Sequence, residues 1–198
     1  MSPAEELAAL LSAKGDEPIE AGATAMFEAI SGGQVSASIL NCPASSIPPG
    51  TRKLLRARDA ERMHVRAGML LCQGGVPVAQ VTTIVVSDRI PHSARTELGI
   101  TKSGSLTPSS GSTPLGRALR GLGVRRQQCE VLLTPGCTDA WGARLALRST
   151  ALLYTADGRP LARVTERIFQ CFLEAFPPPW ARSPALPLQH SQDHQGTR

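Results

Sequence analysis

Aromatic residues make up only 4% of this 198-residue chain. A core with so few rings must be built mostly from Leu, Val, Ile and Ala. Single-strand nucleic-acid readers stack bases on aromatic side chains, and this chain has few to offer. No apolar run approaches the roughly 20 residues of a membrane helix. The first residues, MSPAEELAALL, are acidic and lack the basic start of a signal peptide, so a cytoplasmic protein is expected. The five cysteines (Cys42, Cys72, Cys129, Cys137 and Cys171) are odd in number and contain no CxxC pair. They are expected to be reduced, mostly buried small hydrophobes rather than metal ligands or disulfides. Of the four histidines, His190 and His194 lie in a polar tail. That argues against a Cys–His enzyme.

What is present suits one globular domain: 41% of residues are hydrophobic and 19% charged. The domain is expected over residues 1–180, with 181–198 a disordered tail. The net charge of +5 is scattered along the chain. Such a modest positive field fits a small anionic ligand better than nucleic acid.

In chain order, Ser2–Ala13 reads as a capped helix with Leu7, Leu10 and Leu11 on its apolar face. KGDEP is a linker, and a second helix covers Ala21–Ser31 up to Gly32 and Gly33. Gln34–Leu40 alternates as a strand, and Asn41–Gly50 is a loop. Arg62–Cys72 and Val76–Val86, joined by QGG, form a hairpin of long strands that places Arg66 mid-strand. Ser87–Ser112 is irregular and ends in a flexible loop. Thr113 is expected to cap a helix from Pro114 to Gly123. Arg126–Thr134 and Ala143–Thr155 are further strands, with Trp141 expected in the core. The pattern predicts an α+β fold: one antiparallel sheet of about six strands with helices on one side.

The last strand, within PLARVTERIFQCFL at Pro160–Leu173, is the most informative. Alternation puts Ala162, Val164, Glu166 and Ile168 on one face and Arg163, Thr165 and Arg167 on the other. A carboxylate among aliphatic neighbours is costly unless something pairs with it, which marks Glu166 as a candidate site residue. The plainer reading is an edge-strand Glu facing water. For Arg66 the plainer reading is a solvated strand residue, for Leu115 helix packing, and for His64, on Arg66's face, a structural histidine.

The segments VRAGMLLCQGGVPVAQVTTIVV, TPLGRAL, WGAR and DGRPLARVTERIF resemble, in order and spacing, the chorismate lyase (4-hydroxybenzoate synthase) family over roughly Ala21–Phe172. The resemblance implies a six-stranded antiparallel sheet with helical flaps. It implies a lyase that splits chorismate into 4-hydroxybenzoate and pyruvate without cofactor or metal. It also implies that Arg66 binds the ring carboxylate, that Leu115 lies against the ring, and that Glu166 holds the ring hydroxyl. The family's Ser-Met-Thr segment departs here to GATAM, with Ala23 in the Met position, and WGRRS becomes WGARL.

The residue types suit that chemistry. Arg66 can grip a carboxylate with two parallel hydrogen bonds. Glu166 can anchor a hydroxyl or act as an acid or base. A second cation, Arg117, Arg144 or Arg148, should hold the enolpyruvyl carboxylate. The expected partners are therefore chorismate and its product, with no nucleic acid or membrane, and a monomer. The alternative is a non-catalytic effector-sensing domain of the same fold, as in bacterial transcription regulators. Those carry a helix-turn-helix domain in front, and only about 20 residues precede the matched region here.

Overall fold

A computed structural model of the chain describes residues 1–19, 22–41, 47–100 and 113–177. Its centre is one antiparallel sheet of seven strands in the order β1-β5-β6-β7-β4-β3-β2. The strands are β1 (Asp16–Pro18), β2 (Ser36–Asn41), β3 (Met63–Leu71), β4 (Pro77–Val86), β5 (Arg125–Leu133), β6 (Leu145–Tyr154) and β7 (Pro160–Phe169). The helices are α1 (Pro3–Ala13), α2 (Ala23–Ser31), α3 (Thr51–Leu54), α4 (His92–Glu97), α5 (Leu115–Ala118) and α6 (Gln170–Ala175).

Most elements follow from local chemistry. Ser2 and Glu5 form a reciprocal capping box at the start of α1, which buries Leu7 and Leu11 and leaves Leu10 partly exposed. Gly32 ends α2 in the left-handed conformation, φ 68°. The β3–β4 hairpin turns through Gly74 and Gly75, at φ 88° and 79°, which residues with a Cβ rarely adopt.

Several expectations are corrected. The KGDEP linker contributes β1, whose three residues pair with Arg125–Gln127 at the sheet edge. The helix after Thr113 is a single turn with Pro114 at its N-cap, because Gly121 and Gly123 both take positive φ and redirect the chain into β5. The last strand stops at Phe169, and α6 follows at once. The segment expected to be irregular contains a 3-10 turn (Ser87–Arg89) and α4. Trp141 is 65% exposed at the β5–β6 turn rather than in the core. Among the described cysteines only Cys72 is buried; Cys129, Cys137 and Cys171 are exposed. Cys42, the loop 103–112 and the tail 181–198 lie outside the described residues.

The helix-covered face of the sheet carries two apolar clusters. One joins Leu7, Leu11, Phe27, Leu147, Ile168 and Phe172, with Phe27 and Phe172 edge to face at 5.7 Å. The other joins Val85, Leu98, Leu115, Leu119, Leu153 and Leu161. The opposite face is partly covered, where Leu55 follows α3 and packs on Met63, Val65, Ile84 and Val86. There Arg89 binds Glu61, with Nη2···Oε2 2.7 Å, and holds that carboxyl down at about 2.

Candidate functional site

At the seam of the two clusters lie two small adjoining cavities with a shared wall of Leu70, Val81, Thr83, Pro114 and Leu115. One, of about 40 Å³, is also lined by Ala23, Thr24, Arg126 and Glu166. The other, of about 30 Å³, is also lined by Ala37, Gly68 and Arg66. The three residues singled out in the sequence therefore border one divided cleft, Arg66 at one end, Glu166 at the other, and Leu115 between them.

Strand alternation sets this arrangement. β3 carries Arg66 and β7 carries Glu166, with β4 between them, and both side chains enter the covered face. Arg66 pairs with Thr83, while Val81, one inward step along β4, pairs with Glu166. From strand spacing and rise the two Cα atoms are about 12 Å apart. Glu166 lies on a central strand and is 5% exposed, which excludes the edge-strand reading.

Glu166 is already paired. Arg126, on β5, reaches across β6 over the small, fully buried Ser149 and donates from Nη2 to Glu166 Oε2 at 3.0 Å. The same Nη2 donates to Ser149 Oγ at 3.4 Å, and Gln128 Nε2 donates to that oxygen at 3.2 Å. Arg126 Nη1 is buried without an acceptor among the described residues. The sequence reading missed Arg126, because RRQQCE is polar on both strand faces and gives no contrast. The one available signal was the buried Glu166, which requires a cation.

Arg66 is 3% exposed. Its Nη2 donates to Thr113 O at 3.2 Å, and its Nε is buried with no acceptor among the described residues. Burial without a counter-charge pulls the guanidinium down to about 10. His64 is buried on the same strand face but borders neither cavity.

None of the three arginines proposed as a second cation borders the cleft. Arg117 binds Glu28 of α2 and donates to Val35 O at 2.9 Å, tying α5 to α2. Arg144 is exposed beside the β5–β6 turn. Arg148 is on the opposite face, 3.1 Å from Glu130. No three His, Cys, Asp or Glu side chains gather as a metal site among the described residues. No helix among them is long and apolar enough to cross a membrane.

The molecule has the chorismate lyase-like α+β fold, one antiparallel sheet with helices packed on it. Among solved structures it is similar to PhnF from Mycobacterium smegmatis, with a TM-score of 0.53 and 15% identity over 78% of this chain and 67% of that one. The separately solved effector domain of PhnF matches with a TM-score of 0.48 and 16% identity, over 75% of this chain and 88% of that domain. A chain from Bordetella bronchiseptica, described as the ligand-binding domain of a GntR-family transcriptional regulator, gives 0.46 and 19%, over 78% and 90%. No protein-family model and no curated protein matches the sequence.

These neighbours correct the expectation of a lyase: the chain shares its fold with PhnF, and no chorismate lyase is among the structures named. The cleft gives a physical reason. Chorismate brings two carboxylates, but Arg66 is the one guanidinium bordering the cleft without a carboxylate partner among the described residues, since Arg126 is neutralised by Glu166.

Proposed function

We propose that this chain is a non-catalytic binding domain for a small aromatic acid, an effector-sensing domain rather than an enzyme. The observation that carries the reading is the divided apolar cleft with an uncompensated Arg66 at one end and the Arg126–Glu166 pair at the other. A ligand carboxylate supplies the anion that Arg66 lacks, and its ring packs against Leu70, Val81 and Leu115. A ring hydroxyl donates to Glu166 or accepts from the unused Nη1 of Arg126. One aromatic ring and two inward side chains can fill the span of about 12 Å between the two Cα atoms. Similarity in fold to domains described as effector- and ligand-binding supports the same reading.

The cavities are too small for this ligand as they stand, since a benzene-sized guest needs about 150 Å³. Binding therefore requires Leu115 and the start of α2 to move away from the sheet. The cover is a single-turn helix and the end of another, which makes it the part of the wall best able to shift.

The test is to mix the full chain separately with 4-hydroxybenzoate and with chorismate and to follow binding and products. Saturable binding of 4-hydroxybenzoate, with chorismate left intact, is the expected result. Release of pyruvate from chorismate, or no binding of 4-hydroxybenzoate, benzoate or related ring acids, would overturn the proposal.

A further inference from the structure

The face of the sheet opposite the cleft has a cavity of its own, which the reading above leaves unused. Thr82, Thr165 and Thr150 form one register row across the neighbouring strands β4, β7 and β6. In the row on one side Arg167 is paired with Arg148; in the row on the other side Arg163 stands between Ile84 and Leu152. All three threonines and all three arginines line a single open groove of about 240 Å³, with Glu130 the only acidic residue in its wall among the described residues.

The arginines are poorly compensated for a surface shaped only by water. Like charges directly opposite on neighbouring strands are destabilising, and Arg148 and Arg167 are such a pair. Arg148 meets Glu130 at 3.1 Å, yet its Nε is buried with no acceptor among the described residues. Among the described residues Arg167 makes one hydrogen bond, from Nη1 to the neutral Gln80 Oε1 at 3.3 Å. Arg163 has neither a hydrogen bond nor an ion pair among the described residues.

We propose that this groove is a second binding site, for a compact multivalent oxyanion such as a diphosphate or tricarboxylate group. Guanidinium forks bind such oxygens in pairs, and a row of threonine hydroxyls adds short donors beneath them. The Thr82–Thr165–Thr150 floor is polar where the cleft wall is apolar, with Pro48 and Ile84 the apolar residues beside it, so the two faces of the sheet offer different chemistry. At about 240 Å³ the groove has room for a compact ion of this kind.

The experiment is a calorimetric titration of the full chain with inorganic pyrophosphate, then with citrate, at constant ionic strength. The wild type should bind at least one of them, and the tighter of the two identifies the oxyanion class. Arg163→Gln and Arg167→Gln should each weaken binding about tenfold or more. Arg163→Gln should do so without changing Tm, because Arg163 has no fold partner to lose. Arg66→Met, on the other face, should bind as the wild type does. Absence of binding at millimolar ion, or wild-type affinity in both Arg163→Gln and Arg167→Gln, would overturn the proposal. So would loss of binding in Arg66→Met alone, which would move the anion to the cleft. Salt-sensitive binding of a DNA duplex with no response to either ion would replace the small ligand by a phosphate backbone.

Discussion

Arg66 stands in the fold as a cation without a counter-ion. Its folded pKa, about 10, lies below the usual 12.5, so burial opposes the charged form. The resulting penalty is present at neutral pH and is relieved only as pH rises from about 10 towards 12.5. A carboxylate ligand removes the same penalty by supplying the missing charge. Affinity for 4-hydroxybenzoate should therefore be flat between about pH 6 and 8.5, because Arg66 stays protonated across that range even with its value lowered to about 10. Titrations across that range check the prediction, and a midpoint near 7 would point to another group. Glu166, by contrast, already has its partner Arg126 in place. Glu166→Ala should cost about 3–5 kcal/mol in urea unfolding by leaving Arg126 buried and unpaired. The double change Arg126→Met with Glu166→Leu should cost markedly less. Glu166 was legible in the sequence because it interrupts an aliphatic strand face, whereas Arg66, which shares its face with His64 and Gly68, stood out only through the family resemblance. Arg126 was not, because β5 opens with polar residues on both faces.

At the scale of elements, the cleft is closed by α2 and α5. Arg117 holds them together through Glu28 and the Val35 carbonyl. Gly116 brings them into close contact: a Cβ there would lie 3.3 Å from Thr24 Oγ1. In the sequence TPLGR reads as a helix start, and its Leu115 borders both halves of the cleft. The helix is shorter than its composition suggests, because two glycines break it before a second turn. Glu28→Gln should loosen this latch, raising the ligand association and dissociation rates together several-fold while changing Kd little. Stopped-flow binding separates the two rates. A change in Kd alone would mean that Glu28 acts on the bound ligand rather than on the cover. The short β1 was unreadable for a different reason. Asp-Glu-Pro has no strand propensity, and it is held in place by pairing with β5 and by the 2.9 Å Arg125–Asp16 bridge.

Across the whole molecule, the sheet separates two chemistries. Its covered face has two apolar clusters with the divided cleft at their seam. Its open face presents arginines over threonines. Alternation along β7 generates both at once, with Val164, Glu166 and Ile168 inward and Arg163, Thr165 and Arg167 outward. The antiparallel α+β architecture was legible from the strand periods and their sequential order. The function was less so, because the residues that suggest a lyase serve equally to hold an aromatic acid. What separates the two readings is the pairing of Arg126 with Glu166, a contact between strands 40 residues apart that no local pattern reveals.

The most direct test of the account is a calorimetric titration of 4-hydroxybenzoate into the wild type and into Arg66→Met. A one-to-one complex is expected with the wild type, and about 100-fold weaker binding with the variant. The ligand-free variant should be no less stable, because an uncompensated buried charge has been replaced by an apolar side chain. Equal affinities in the two proteins would contradict the assignment of Arg66, and with it the cleft as the binding site.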